Sequence, residues 1–346
     1  MAGGEHAPIV RRGECYDAAK VRIRIVCPAP PGTLYGNRIS AVRWAGMLRQ
    51  LGHRAVVETH YGGQPCDLLI ALHAKRSAGA VFEFHRLHPD APVIVALTGT
   101  DLYREIHRSA AARRALDIAT RLVALQPLAD EQLAPGLRSK LRVIHQSAEP
   151  ASGPASRSRR FFQVCVVGHL RRVKDPFRAA MAARRLPAAS RIRVVHAGAA
   201  MSAHMERRAR AEEQRNRRYR WLGELPRWKA RQLIASSHVL VLSSRMEGGA
   251  NVISEAVVEG TPVLASAIPG SVGLLGADYP GYYEFGDTEA LRRLLLRAET
   301  DAGFYGELRS ACARCFPLFR PEQERAAWRS LLNELSGPGL RSSSRE

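Results

Sequence analysis

Short apolar runs alternate with amphipathic segments along most of the chain. The runs are rich in Val, Ile and Leu, which is typical of parallel strands buried on both faces. In the first half they predict strands over 21–30, 54–58, 67–73, 91–99, 120–126 and 141–147. In the second half they predict strands over 161–168, 191–198, 219–225, 238–244 and 262–266. The intervening periodicity predicts helices over 37–52, 174–186, 201–215, 226–236 and 250–260.

One segment interrupts this alternation, "AEPASGPASRSRR", and its Pro, Gly, Ser and Arg content is typical of a linker. The pattern restarts after it, so we expect an α/β chain with two Rossmann-like βαβ domains in tandem. The last amphipathic segment has no strand to cover and is expected to cross back over the domain boundary. The predicted order is a disordered start, the first domain, the linker, the second domain, the crossing helix and a disordered tail, over 1–20, 21–150, 151–160, 161–320, 321–336 and 337–346.

Polar clusters follow several predicted strands. They read "PGTLYGNR", "HAKRS" and "TGTD" in the first half, and "GHLRRVKD" and "SSRMEGGAN" in the second. Ligands of open parallel sheets bind beyond the carboxyl ends of the strands. We therefore expect the two domains to face each other across a cleft that holds the substrate.

The chain has 346 residues, of which 46% are hydrophobic and 24% charged, as in globular proteins. No apolar run approaches the roughly 18 residues of a membrane span, and the first twenty residues lack the apolar core of a secretory signal. We expect a cytoplasmic protein without stable membrane insertion. Lys and Arg number 52 against 32 Asp and Glu, a net charge of +20 that attracts anions.

Nucleic acid is an alternative partner for such a charge. The chain shows no zinc pattern, aromatic RNA-binding motif or basic helix, and its arginines are spread over both halves, so we expect no nucleic-acid ligand. Cys312 and Cys315 form a lone C-x-x-C without a second pair. We expect two thiols one helical turn apart on a helix, and we predict no metal or other cofactor.

The stretch "EGGANVISEA" follows a strand and leads into a helix that begins near Ala250 or Asn251. Gly248 and Gly249 allow a ligand to approach the backbone closely. The free N–H groups and dipole of the helix start favour phosphate.

Two carboxylates flank this predicted phosphate site, Glu247 in the loop and Glu255 in the early helical turns. A carboxylate accepts hydrogen bonds from hydroxyl groups and cannot hold a phosphate oxygen, because both are acceptors. The ligand should therefore carry phosphate with hydroxyl groups on either side, as a nucleotide sugar does.

The loop "VVGHLRRVKDP" leaves the first strand of the second domain through Gly168 and carries Arg171, Arg172 and Lys174. Arginine grips phosphate oxygens in a bidentate manner and lysine supplies a point charge. The chain contains no Asp-x-Asp, so we expect these cations and the helix start to stabilise a departing diphosphate without a metal. A solvated basic loop is the alternative.

The first domain offers a second set of polar residues at strand ends. Gly36, Asn37 and Arg38 stand at another helix start, which fits a phosphate-like anion. The other candidates follow two further strands, where surface basic residues and a helix cap by Thr100 or Asp101 are the alternatives. They are His73, Lys75, Arg76, Thr98, Gly99, Thr100 and Asp101.

Glu247 and Glu255, with seven residues between them, and the following "EAVVEGTPVLAS" resemble the glutamate signature of the family-4 glycosyltransferases, which have the GT-B fold. "VGHLRRVKDP" resembles their diphosphate loop, V-G-R-L-x-x-x-K-G, with Lys174 at its lysine. His169 stands at its arginine, so Arg171 or Arg172 is expected to supply that charge. The resemblance implies that Glu247 contacts the donor hexose and Glu255 the ribose.

The whole of residues 21–335 more closely resembles the selenosugar synthases of selenoneine biosynthesis, through stretches such as "CPAPPGTLYGNRISAVRWAGMLRQLGHR", "VALTGTDLYREI" and "GLLGADYPGYYEFGDT". That resemblance implies a UDP-sugar donor, typically UDP-N-acetylglucosamine, and selenophosphate as acceptor. A selenium anion needs placement and a positive cleft more than a general base. Asp101 is the candidate base if the acceptor is instead a hydroxyl group of a sugar or lipid.

Overall fold

The computed structural model describes residues 20–153 and 155–335, so the predicted disordered ends lie outside the described residues, apart from Lys20. Two six-stranded parallel sheets form the cores of two domains. Strands such as Leu68–Leu72 and Val93–Leu97 are buried at every position, because helices cover both faces of the sheet. The predicted GT-B architecture of two Rossmann-like domains is confirmed.

The first sheet has the order β2-β1-β3-β4-β5-β6. Its strands are β1 (Arg22–Val26), β2 (Arg54–Glu58), β3 (Leu68–Leu72), β4 (Val93–Leu97), β5 (Arg121–Ala124) and β6 (Leu141–Val143). Its helices are α1 (Gly36–Gln50), α2 (Ala78–Leu87), α3 (Ala110–Ile118) and α4 (Pro135–Arg138), with a π-helical turn at Asp101–Glu105 and a 3-10 turn at Pro127–Gln132.

The second sheet has the order β12-β11-β10-β7-β8-β9. Its strands are β7 (Phe162–Val167), β8 (Ile192–Ala197), β9 (Tyr219–Trp221), β10 (Val239–Leu242), β11 (Val263–Ser266) and β12 (Tyr282–Tyr283). The helices are α5 (Arg178–Ala183), α6 (Ala203–Arg215), α7 (Arg227–Ala235), α8 (Asn251–Val258), α9 (Pro269–Leu275), α10 (Thr288–Thr300), α11 (Ala302–Cys315) and α12 (Pro321–Leu335), with 3-10 turns at Arg172–Lys174 and Phe316–Phe319.

The helix predicted over 174–186 is interrupted in the structure. A 3-10 turn ends at Lys174, Asp175 adopts a left-handed conformation with φ of 43°, and α5 begins only at Arg178. Pro176 explains the break, because proline disfavours helical backbone at the residue before it and lacks an N–H group of its own. None of the helices in the described part of the chain is long and apolar enough to cross a membrane.

The two cysteines of the C-x-x-C lie on α11 and are buried. The Sγ atom of Cys312 lies 3.2 Å from the Tyr279 hydroxyl, and burial raises the pKa of this thiol to about 11. Cys315 contacts the Leu275 carbonyl instead. Within residues 20–153 and 155–335, no three His, Cys, Asp or Glu side chains are grouped to hold a metal ion.

Helix α12 follows the second domain in sequence and packs against the first. Trp328 lies edge-on against Trp44 of α1, with ring centroids 5.0 Å apart, and Leu331 and Leu335 join the same apolar cluster. The carboxylate of Glu324, only 1% exposed, accepts hydrogen bonds from the Trp44 indole at 2.8 Å and from the backbone N–H of Ser147 at 2.7 Å.

We predict that Glu324→Gln lowers the free energy of unfolding by about 3 kcal/mol, because it removes the buried charge that faces the half-buried Arg43, whose Nε lies 3.0 Å from the carboxylate. Glu334→Gln on the same helix is the matched control, since Glu334 pairs with Arg121 and Arg142 at the surface. Denaturant unfolding of both variants measures the difference. Equal stability of the two variants would contradict the prediction.

Candidate active site

A cavity of about 350 Å³ lies between the carboxyl ends of the two sheets and is lined by both domains. Most of the predicted site residues line it. Those from the first domain are Gly36, Asn37, His73, Arg76, Thr98, Gly99 and Thr100. Those from the second domain are Gly168, His169, Arg171, Lys174, Glu247, Gly249, Ala250, Asn251 and Glu255.

Two helix starts converge on this cavity from opposite domains. Helix α1 begins at Gly36 and α8 at Asn251, and neither has a side-chain cap. A methyl group on Gly36 would lie 4.0 Å from Asn251 Nδ2, so the two starts are close neighbours. Their unpaired N–H groups and dipoles make the cavity suited to an anion with acidic groups at both ends.

Lys174 and Glu247 form an ion pair at the wall of the cavity, with 2.8 Å between Nζ and Oε1. The Ser244 hydroxyl donates a second hydrogen bond to the same carboxylate oxygen at 2.5 Å. Arg171 also lines the cavity, and within the described residues its guanidinium group has no hydrogen-bond or ion-pair partner. The cavity that contains the α8 start therefore holds the paired Lys174 and, within the described residues, the unpaired Arg171.

Glu255 lies deeper in the second domain with its side chain 12% exposed. Burial raises the pKa of its carboxyl group, against the attraction of Arg231 and Arg227, whose guanidinium nitrogens lie 3.8 Å away. At these distances both carboxylate oxygens keep free lone pairs, since a hydrogen bond needs a closer approach. The group can therefore accept hydrogen bonds from a bound diol.

The loop after β7 is held from beneath by a buried histidine. The His196 imidazole bridges the Tyr219 hydroxyl and the Gly168 carbonyl, each at 3.1 Å, and burial lowers its pKa to about 4. A neutral ring therefore positions Gly168. A methyl group on Gly198 would lie 2.0 Å from the Gly168 oxygen, so this position has room only for glycine.

His169 stands in the cavity wall as an uncharged residue. Burial lowers the pKa of its imidazole, and its Nδ1 accepts a hydrogen bond from the Ala199 N–H at 3.2 Å. The ring lies edge-on to Tyr35 of the first domain, with centroids 5.4 Å apart. Because His169 is neutral, Arg171 is the loop residue that brings a full positive charge beside Lys174.

Gly248 and Gly249 also serve the contact between the domains, a role that was not predicted from the sequence. A methyl group on Gly248 would lie 2.4 Å from the carbonyl carbon of Thr98, and Gly248 does not line the cavity. A methyl group on Gly249 would lie 2.3 Å from Leu125 Cβ. The loop before α8 is thus pressed directly onto the first domain.

The first-domain residues form a connected polar rim. The Asn37 amide donates to the Thr98 hydroxyl at 3.1 Å. His73 has a left-handed backbone with φ of 76°, and its Nε2 lies 3.3 Å from both the Thr100 hydroxyl and the Glu105 carboxylate. Its Nδ1 accepts the Arg76 N–H at 3.3 Å, so both ring nitrogens already have partners.

Asp101 does not reach the cavity, contrary to its predicted place in the site. The residue is fully buried, and its carboxylate accepts backbone hydrogen bonds from Ala74, Thr98 and Gly99 at 2.8–3.0 Å. These bonds fix the loops after β3 and β4 together. Asp101 is therefore a positioning residue, and the structure does not support its role as a general base.

Three basic residues of the prediction also lie outside this cavity. Arg38 is half-buried on α1, with Nη1 lacking a hydrogen-bond partner in the described part of the chain. Lys75 is exposed beyond the rim. Arg172 lines a different cavity, because the 3-10 turn at Arg172–Lys174 directs neighbouring side chains to different sides.

Three charged residues of the cavity were not predicted from the sequence, Glu224, Arg227 and Arg231. They follow β9 in the stretch "GELPRWKAR", at the carboxyl end of a strand. The rule that ligands bind beyond the carboxyl ends of parallel strands applies to this stretch as well. Arg231 is further anchored by the Glu149 carbonyl at 2.6 Å and by the Glu259 carboxylate.

Solved structures of similar fold cover nearly the whole chain. HepE of Anabaena with UDP-glucose has a TM-score of 0.71 at 17% identity, covering 91% of this chain and 100% of its own. Sucrose-phosphate synthase of Thermosynechococcus elongatus has 0.72 at 14% identity, covering 90% and 98%. A glycosyltransferase of Rickettsia africae has 0.70 at 13% identity, covering 93% and 100%.

No curated protein sequence matches the chain. Residues 155–314, which include β7 to β12 and the cavity-lining loops of the second domain, match the family model described as glycosyl transferases group 1. The fold similarities place this segment within a GT-B chain. The second domain is therefore similar to the group 1 glycosyltransferases, and the chain as a whole has the two-domain GT-B fold.

Proposed function

We propose that the protein transfers a sugar from a UDP-sugar, with UDP-N-acetylglucosamine as donor, to selenophosphate. The observation that carries the proposal is the α8 start flanked by Glu247 and Glu255, with Lys174 and Arg171 beside it in one interdomain cavity. HepE structures with UDP and with UDP-glucose support a uridine nucleotide for this fold. The finer choice of donor and acceptor rests on the sequence resemblance.

The donor would lie with its diphosphate at the N–H groups of Ala250 and Asn251. Glu255 would accept hydrogen bonds from the ribose, and Glu247 from the hexose. In the reaction, selenium attacks the anomeric carbon, and the bond from that carbon to the diphosphate oxygen breaks with its electron pair. Lys174 and Arg171 would stabilise the charge that collects on the departing UDP.

The acceptor side supports an anion that is already nucleophilic. No carboxylate of the described first-domain residues lines the cavity, Asp101 is engaged by backbone N–H groups, and both nitrogens of His73 have partners. A hydroxyl acceptor would normally lose a proton to such a group, whereas a selenophosphate anion has none to lose at selenium. The α1 start and Arg76 would hold its phosphate oxygens.

Incubation with UDP-N-acetylglucosamine should release UDP only when selenophosphate is present, with a seleno-sugar detected by mass spectrometry. Water then cleaves the phosphorus–selenium bond of the first product. The Glu247→Ala variant provides the background rate of UDP release, because it removes the proposed hexose contact and leaves every other residue unchanged. UDP release no faster than in this variant would reject the proposal.

A transferase acting on a hydroxyl group of a sugar or lipid is the second candidate, and the shared donor site favours it equally. An acceptor screen under the same conditions separates the two. Turnover with sugars or lipids and none with selenophosphate would establish this alternative. The expectation of activity without a divalent metal is tested by adding a chelator to the same assay.

A further inference from the structure

A second cavity, of about 700 Å³, also lies between the domains. It is lined by Tyr103 and two arginines of the first domain, Arg104 and Arg108, and by Arg172, Arg245 and Phe285 of the second. Val173 and Met246 line both cavities and so form the wall between them. This four-arginine cavity is therefore adjacent to the proposed substrate site and distinct from it.

The four guanidinium groups have no hydrogen-bond or ion-pair partner among the described residues, and no carboxylate lines the cavity. Arg245 only lies over the Phe285 ring, 5.8 Å from its centroid. The four arginines are exposed, and their grouping in a protein with a net charge of +20 creates a local positive potential that attracts anions. The forked geometry of arginine matches phosphate oxygens.

We infer that the four-arginine cavity binds a small soluble molecule bearing more than one phosphate group. Its volume exceeds that of a single phosphate ion, and the Tyr103 and Phe285 rings offer apolar surface for the remainder of the ligand. Each domain supplies two of the four arginines, so the ligand bridges the domains. Arg172 lies two residues before Lys174, and Met246 directly precedes Glu247, so this ligand would contact the same two loops that line the substrate cavity.

Isothermal titration calorimetry with tripolyphosphate tests this on the full chain with UDP at saturation, so that the first cavity is filled. We expect one further binding event. Arg104→Ala/Arg108→Ala and Arg172→Ala/Arg245→Ala should each weaken it at least roughly tenfold, because each pair removes two charge-assisted contacts from one domain. The same titration in an Arg171→Ala/Lys174→Met background without UDP keeps the result independent of the proposed function.

Arg207→Ala/Arg220→Ala is the matched control, since these two arginines are exposed and their side chains have no polar partner in the described chain. It removes the same charge elsewhere and should leave the affinity for tripolyphosphate unchanged. Equal weakening by the control, displacement of the probe by UDP, or no second event would overturn the inference. Loss in only one of the two arginine pairs would overturn the bridging of domains.

Discussion

Lys174→Met should lower kcat/KM for the UDP-sugar by roughly 10²–10³, the usual cost of removing one group that stabilises transition-state charge. Lys174 lies on the cavity wall beside the uncapped start of α8, where the diphosphate would leave. Methionine keeps most of the side-chain length and removes the charge. UDP release under subsaturating donor measures the effect.

The Lys174→Met variant also leaves Glu247 with Ser244 as its remaining polar partner, because the ion pair at 2.8 Å is lost. Lys174→Arg restores the charge and should recover part of the activity, whereas a purely structural role would respond to side-chain volume alone. Arg207→Ala is the control for net charge, being an exposed residue of α6. Full activity of Lys174→Met with an intact fold would show that the diphosphate leaves elsewhere.

The two-sheet architecture could be predicted from the sequence because buried parallel strands leave a strong apolar signal. Each predicted strand range contains a strand of the structure, and most of the observed strands are shorter because the ends of the predicted ranges belong to loops. Helices such as Ala110–Ile118 and Thr288–Thr300 were not predicted, and the strand Tyr282–Tyr283 is too short to leave a pattern. Pairing order and domain closure depend on contacts far apart in sequence.

Part of the candidate site could likewise be predicted from the sequence, and part could not. Loops at strand ends and the spacing of Glu247 and Glu255 can be read from the sequence, since topology brings them to one edge. The direction of a side chain cannot be predicted in this way, because Arg171 and Arg172 are neighbours in sequence but line different cavities. Asp101 is at a strand end as predicted, yet its carboxylate is taken by three backbone N–H groups.

Gly248 of the second domain lies directly against the backbone of Thr98 in the first domain. Its added methyl group would lie 2.4 Å from the carbonyl carbon and 2.6 Å from the carbonyl oxygen of Thr98, both backbone atoms that cannot rotate away. Gly248→Ala should therefore hold the domains apart and lower kcat by about 10² or more, because a displacement near 1 Å between reacting groups has that effect. Stability should fall by about 1–3 kcal/mol.

The measurement must distinguish loss of the contact between the two domains from damage to the proposed donor site. The proposed donor contacts all belong to the second domain and the new methyl group points at the first, so UDP affinity should change by less than about threefold while kcat falls. Small-angle scattering with UDP should show a larger radius of gyration than the parent protein. Gly79→Ala, in α2 with no atom within 4 Å of the added methyl group, is the matched control. Wild-type turnover in Gly248→Ala would mean that catalysis does not need the contact between this loop and Thr98, and the first-domain residues would then act from a more open arrangement.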